Sequence, residues 1–107
     1  MNTPPKQPIL VNAAEMARQY PNEFEAPAPE ELTMLKIGDF AKVCILRQSK
    51  QQLGIPTTGE RFWVQITNIA GPILTGRVDN DLDPACSLQF NDYIQFGLDN
   101  IYACRKQ

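Results

Sequence analysis

The sequence contains no histidine, and this absence excludes several common kinds of catalytic site. Histidine is the usual general base near neutral pH and the commonest metal ligand in proteins. Serine and cysteine nucleophiles that depend on a neighbouring imidazole are excluded as well. We therefore predict no catalytic residues, no metal and no cofactor, and we expect the chain not to be an enzyme.

Cysteine is scarce, and its distribution argues against a secreted, disulfide-linked protein. The three cysteines, Cys44, Cys86 and Cys104, are odd in number and widely spaced, and none belongs to a Cys-x-x-Cys pair. This arrangement predicts neither a disulfide framework nor a zinc or redox site. The first residues also lack the basic and then apolar character of a signal peptide. From these absences we expect a cytoplasmic protein.

Long apolar runs and a concentration of positive charge are also missing. No stretch of the sequence approaches the ~20 apolar residues that span a bilayer, so we expect no membrane partner. The formal net charge is −2 and the pI is about 5.0, with basic residues scattered along the chain. Nucleic-acid-binding domains usually carry a basic patch or stripe. The expected partner is therefore another protein.

The clearest pattern that is present is a strand–turn–strand passage over residues 60–80. Apolar residues recur there at every second position, which is typical of strands with one buried face. The segment Ala70-Gly71-Pro72 interrupts this alternation and predicts a turn. The predicted apolar face consists of Phe62, Val64, Ile66, Leu74, Gly76 and Val78.

Three further strands are predicted over residues 40–47, 93–98 and 101–104. Together with the central pair they predict a mainly β (α+β) fold. We expect a bent antiparallel sheet or a small SH3-like barrel of about five strands, with one short N-terminal helix.

The N-terminal third of the chain lacks this strand pattern. A helix is predicted over residues 13–20, with Asn12 as its N-cap and Pro21 as its end. Residues 21–31 are rich in proline and glutamate and are expected to be an irregular link. We therefore divide the chain into residues 1–32, which hold an arm, the helix and this link, and a β domain over residues 33–107.

One short pattern occurs twice. Residues 35–43 and 88–96 both read apolar, polar, apolar, then Gly38-Asp39 or Asn91-Asp92, then an alternating strand. Glycine and asparagine tolerate positive φ angles, and aspartate bonds to nearby backbone in turns. We expect one kind of turn to be used twice, with both aspartates as turn residues and not as catalytic carboxylates.

Three further acidic residues, Asp79, Asp81 and Asp83, are spaced like the first half of a calcium-binding loop. Such a loop would need glycine and glutamate where this chain has Pro84 and Phe90. We interpret the segment as a solvated loop.

The order of several segments carries a family resemblance. These segments are NEFEAP (residues 22–27), LKIGDFAK (35–42), GERFWV (59–64), GRVDN (76–80), NDYIQF (91–96) and Ile101. In this order they resemble the YegJ-like family of small bacterial proteins of unknown function. The sequence departs from that pattern at Ala41, at Asn91 and in a longer acidic insert before Pro84. The resemblance implies a small, strongly bent β fold and no particular activity, although some small bacterial domains of this sort look like immunity or accessory proteins.

Alternation places three aromatic residues, Phe40, Trp63 and Tyr93, on the face opposite the aliphatic core. One interpretation is that the N-terminal helix docks over them and forms a second small core. The other is that part of this face is open and binds a partner, since Trp and Tyr are favoured interface anchors. The candidate partner-binding residues are Trp63, Arg61, Gln65, Arg77, Phe40 and Tyr93.

Two hypotheses for function follow from this sequence. The first is a non-enzymatic protein-interaction or accessory module, of an immunity-like kind. The alternative is a small-ligand-binding sensor, or an enzyme that uses Asp, Arg and Cys without His.

Overall fold

Five strands form one open antiparallel sheet in the computed structural model of this chain, which describes residues 4–45, 60–82 and 88–107. The strands are β1 (Phe40–Cys44), β2 (Arg61–Ala70), β3 (Ile73–Val78), β4 (Tyr93–Gly97) and β5 (Ala103–Arg105). Their order across the sheet is β4-β3-β2-β1-β5. The mainly β prediction is confirmed in its bent-sheet form, and the sheet is not closed into an SH3-like barrel. The predicted loop over residues 48–58, the end of the first predicted strand, Asp83, Pro84 and Cys86 lie outside the described residues.

The central hairpin has the predicted phase. Phe62, Val64 and Ile66 on β2 are all at most 1% exposed, and Leu74 and Val78 on β3 are equally buried. These side chains lie on one side of the sheet, which we call the first face. The main core covers the first face and consists of Ala41, Val43, Phe62, Val64, Ile66, Leu74, Val78, Leu88, Ile94, Phe96 and Ile101.

The bend of the sheet has a local cause in β2. The pairing of β2 with β3 shifts register between Ile66 and Asn68, so Thr67 is an additional residue on one strand. The Thr67 hydroxyl donates a hydrogen bond to the Thr75 carbonyl oxygen at 3.2 Å. An inserted residue of this kind bends a strand and increases its twist. The bulge therefore curves the hairpin near its tip.

The N-terminal arm is bonded to the sheet at two places. The Lys6 amide donates to the Tyr93 carbonyl at 2.8 Å, and the Gln95 amide donates to the Lys6 carbonyl at 2.9 Å. Further along, the Val11 amide donates to the Cys44 carbonyl at 2.9 Å. The arm thus runs from the edge strand β4 to the end of β1.

Two short helices follow the arm, one more than predicted. Helix α1 (Ala13–Gln19) begins as expected, because the Asn12 side chain accepts a hydrogen bond from the Glu15 amide at 2.9 Å. Helix α2 (Pro29–Thr33) lies where the end of an irregular link was predicted. That prediction was wrong because Pro29 occupies the first helical position, where proline favours a helix start. The Glu31 carboxylate adds to this start by accepting the Ala28 amide at 2.9 Å.

The repeated sequence pattern forms the same turn twice. Gly38 has φ +101° and Asn91 has φ +76°, the left-handed region that glycine and asparagine tolerate. In each turn the following aspartate side chain accepts a backbone amide three residues earlier. Lys36 donates to Asp39 at 3.0 Å, and Gln89 donates to Asp92 at 2.9 Å.

Both turns are attached to the central hairpin by paired backbone bonds. Gly38 donates to the Ile66 carbonyl and Ile66 donates to the Asp39 carbonyl, each at 2.8 Å. Asn91 and Val78 make the equivalent pair around the second turn, with Asn91 donating to Val78 and Val78 donating to the Asp92 carbonyl. The repeated motif therefore connects each side of the hairpin to the strand that follows the turn.

Candidate functional site

The side of the sheet opposite the main core, which we call the second face, brings four of the predicted partner-binding residues into one row. Phe40 on β1 pairs with Gln65 on β2, Gln65 pairs with Arg77 on β3, and Arg77 pairs with Tyr93 on β4. Arg105 on β5 pairs with Phe40 and extends the row to the other edge of the sheet. Strand pairing thus aligns these residues from separate strands into one continuous strip of side chains.

Trp63 lies in the next row of the second face and has cations over its ring. The Lys42 Nζ atom, from the paired position on β1, is 5.4 Å from the ring centroid. The Arg105 Cζ atom is 5.0 Å from the same centroid and 5.8 Å from that of Phe40. The Trp63 amide donates to the Asn80 side-chain oxygen, which holds the end of β3 against β2. The indole is therefore half-buried beneath cationic side chains.

Arg77 is at the centre of a polar network in the first row. Its guanidinium donates to the side-chain oxygens of Asn91 at 2.7 Å and Gln65 at 3.1 Å. It also forms an ion pair with Asp79 at 3.5 Å and lies 5.9 Å from the Phe90 ring centroid. These contacts hold the Arg77 guanidinium in one orientation.

Arg61, another candidate partner-binding residue, lies over two aromatic rings other than Trp63. Its Cζ atom is 4.7 Å from the Tyr102 ring centroid and 5.7 Å from that of Phe24. Arg61 pairs across the sheet with Cys44, two residues along β1 from Lys42. Arg61 is therefore on the second face, and Trp63 lies between Arg61 and Gln65 along β2.

The prediction that the N-terminal helix docks over Phe40, Trp63 and Tyr93 was wrong. Ala13 of α1 is buried in a second cluster with Val11, Cys44 and Tyr102, against which Met16 and Phe24 pack. The arm explains this position, because the hydrogen bond from Val11 to Cys44 holds the start of α1 near the end of β1. Tyr93, at the other edge, remains 48% exposed.

The second face carries more positive charge than the composition suggests. Among the described residues, four cations lie on it, at Lys42, Arg61, Arg77 and Arg105, and Asp79 pairs with Arg77. Within residues 4–45, 60–82 and 88–107, no carboxylate lies within ion-pair distance of Lys42, Arg61 or Arg105. Among the described residues, these three cations contact aromatic rings and form no ion pair.

Sequence reasoning missed Lys42 and Arg105 as members of the site. Lys42 could have been found, because it is two residues from Phe40 and alternation along a strand puts both on the same face. Arg105 could not, because the last strand was predicted to end at residue 104 and its pairing partner was unknown. The structure adds Arg105 by pairing it with Phe40.

The acidic and thiol groups in the described part of the chain offer little reactive chemistry. No group of three or more Cys, Asp and Glu residues there is close enough to hold a metal ion. Asp39 and Asp92 are turn residues, as expected. Burial raises the pKa of the Cys104 thiol, and the charges of Glu31 and Asp39 raise it further against the opposing effect of Lys106. This thiol is protonated near neutral pH and is a poor nucleophile.

Replacing Tyr102 with phenylalanine is expected to leave the free energy of unfolding within about 1 kcal/mol of the wild-type value, or to raise it. The Tyr102 hydroxyl is buried and has no hydrogen-bond partner among the described residues. Its burial also raises the pKa of Tyr102, with a further rise from Cys44 and an opposing effect of Arg61. Denaturant unfolding measures the difference, with Tyr93→Phe on an exposed ring as control. A loss of more than about 2 kcal/mol would mean that the hydroxyl is bonded in solution.

The described residues contain no helix long and apolar enough to cross a bilayer. Comparison with protein families, curated proteins and solved structures finds no family model, no curated protein and no solved structure that matches this chain.

Proposed function

We propose that this chain is a non-enzymatic protein-interaction module that binds its partner through the second face of the sheet. One observation carries the proposal: Lys42, Arg61 and Arg105 lie over aromatic rings without a carboxylate partner among the described residues. Arginine that is stacked on a ring keeps its N–H donors free at the edge of the guanidinium. The face thus combines aromatic area with donors that are not used within the described fold.

The hydrogen bonds that hold Arg77 on this face support the same role. Lys42, Trp63 and Arg61 project from paired strands, and Arg77 is held by Asn91 and Gln65. Side chains that are already ordered lose less conformational entropy when a partner binds. The Arg77 side chain is therefore ordered before binding.

The alternative, a small-ligand sensor or an enzyme without histidine, has weaker support. One cleft among the described residues, between α2 and β5, has a volume of about 130 Å³ and is lined in part by Met34, Leu35 and Cys104. Pockets for small molecules usually measure ~300–1,000 Å³. This cleft is small for a metabolite, and the Cys104 thiol in it is protonated.

We extend the proposal to three properties that the sequence suggested. The protein would act in the cytoplasm, which its odd number of cysteines favours. Membership of the YegJ-like family remains a proposal, based on the order of segments given above. An immunity-like or accessory role would fit a small module that works by binding another protein.

The test is to find the partner and then to measure its binding to defined variants. The tagged chain is used as bait in a lysate of its host, and the captured protein is identified, purified and titrated by calorimetry. We expect Arg105→Gln to weaken binding at least about fivefold, since a charge-assisted bond is lost. Arg18→Gln, on α1 and paired with Glu15, should bind like the wild type.

Thermal unfolding of each variant checks that it is folded before binding is measured. If Arg105→Gln and the double variant Lys42→Gln/Arg105→Gln both bind the purified partner with wild-type affinity, the interface lies elsewhere on the molecule. The proposal that the second face binds the partner would then be wrong.

A further inference from the structure

Three cations on the second face form a diagonal line. Arg105 on β5 pairs with Phe40, Lys42 is two residues further along β1, and Arg61 on β2 pairs with Cys44, two residues beyond Lys42. Each step therefore crosses one strand and advances two residues. We call Arg105, Lys42 and Arg61 the cationic stripe.

Strand geometry gives the spacing of this stripe. Neighbouring strands are ~4.8 Å apart and two residues along a strand span ~6.7 Å. The Cα atoms of successive stripe residues are therefore ~8 Å apart, and those of Arg105 and Arg61 are ~16 Å apart. In an extended polypeptide, alternate side chains point the same way at intervals of ~6.7 Å. Long side chains on both partners can cover the small difference between these intervals.

Resting on the interaction role proposed above, we infer that the partner contributes an extended acidic segment with carboxylates at alternate positions, which binds along the cationic stripe. Opposite charges at matching positions steer association and determine which partner fits. Each guanidinium can take a carboxylate in a bidentate arrangement. Lys42 supplies a point charge between the two arginines.

Charge and ring geometry favour a polypeptide over a nucleic acid as the occupant. The protein has a net charge of −2, so a long polyanion would be repelled by the rest of the surface. Single-stranded nucleic acids are usually held by bases stacked on open aromatic faces. Here the Trp63 ring lies under Lys42 and Arg105, and the Tyr102 ring under Arg61. A carboxylate ligand needs only the cations.

The test uses synthetic probes whose charge and spacing are known. Fluorescent peptides of about ten residues, long enough to cross the stripe, carry glutamate alternating with serine, the same residues in two blocks, or glutamine in place of glutamate. A thymidine oligonucleotide of similar length is the fourth probe. Fluorescence anisotropy at low salt measures binding of each probe to the full chain.

We expect the alternating acidic peptide to bind more tightly than the block peptide, and the glutamine peptide and oligonucleotide to bind least. Arg105→Gln and Lys42→Gln should each weaken binding of the alternating peptide about tenfold. Arg18→Gln should not change it. Raising the salt concentration to about 0.5 M should also weaken binding, because exposed charges are screened.

Several results would overturn the inference: equal binding of the glutamate and glutamine peptides, equal binding of the alternating and block peptides, or tighter binding of the oligonucleotide. Glu23 and Glu25 are carboxylates at alternate positions in this chain itself. If the chain self-associates and replacing both with glutamine abolishes this, a second copy is the occupant and the inference is wrong. If a purified partner requires Arg105 but the acidic peptide neither binds nor competes, the interaction role stands and the acidic partner is wrong. If Arg105 is not required for either, both proposals fail.

Discussion

Truncating Ile66 to alanine is expected to lower the free energy of unfolding by about 2–5 kcal/mol. Ile66 is 1% exposed and lies in the main core on β2. It is also the residue to which the first turn is bonded, through Gly38 and Asp39. Removing three carbon atoms from a closely packed site leaves a cavity that its neighbours fill only in part.

The same strand offers a matched control in Ile69→Ala, which removes the same atoms from a site that is 38% exposed. We expect this change to cost less than about 1.5 kcal/mol, because much of the side chain already contacts water. Chemical denaturation of both variants measures the difference. Similar losses at the two positions would show that Ile66 is no better buried than Ile69.

Replacing Asp39 with asparagine is expected to cost about 2–3 kcal/mol, although the side chain keeps its shape. The two carboxylate oxygens accept separate backbone amides, from Lys36 at 3.0 Å and Gln107 at 3.1 Å. An asparagine has only one oxygen, so its amino group would face one of these donors. Asp39 is 5% exposed, and water cannot easily take the place of the lost acceptor.

Asp92 provides the control because it occupies the same position in the second turn. There one oxygen, Oδ2, accepts both the Gln89 amide at 2.9 Å and the Lys6 ammonium at 3.0 Å. Asp92→Asn can keep the turn bond and loses the ion pair with Lys6, whose side chain is 50% exposed. Ion pairs of this kind contribute about 0–1 kcal/mol, so we expect a loss of that size.

The cost of Asp39→Asn should also depend on pH. Burial alone would raise the pKa of Asp39, but hydrogen bonds from Gln107 and Lys36 and the charges of Lys106 and Lys36 lower it overall. A carboxyl whose pKa is lower in the folded state contributes stability above its ordinary pKa, and that contribution is lost as the pH falls through the folded value. The difference between wild type and Asp39→Asn should therefore shrink below about pH 4. An unchanged difference at pH 7 and about pH 2 would show that the charge is not involved.

Local patterns in the sequence predicted the strands and turns well. The alternation around Phe62, Val64 and Ile66 predicted which side of β2 is buried, because side chains on a strand point to opposite faces regardless of the rest of the fold. The repeated Gly-Asp and Asn-Asp segments predicted two similar turns, since positive φ and aspartate bonding are properties of a few adjacent residues. The cap at Asn12 was predictable for the same reason.

The candidate site was predicted only in part. Its aromatic residues and Arg77 followed from alternation, and the structure places Phe40, Gln65, Arg77 and Tyr93 in one row. Whether the rings were open, covered by a helix or covered by cations could not be read from spacing. That outcome depended on which strands are neighbours.

The sequence by itself determined the buried phase of the strands, the two turns and the start of α1, because each depends on residues a few positions apart. The tertiary structure decided the rest. Pairing of β5 with β1 placed Arg105 over Trp63 and Phe40, and the arm's bond to Cys44 carried α1 to the other end of the second face. Both contacts join residues that are more than thirty positions apart, and strand register and long-range packing select them, not local propensity.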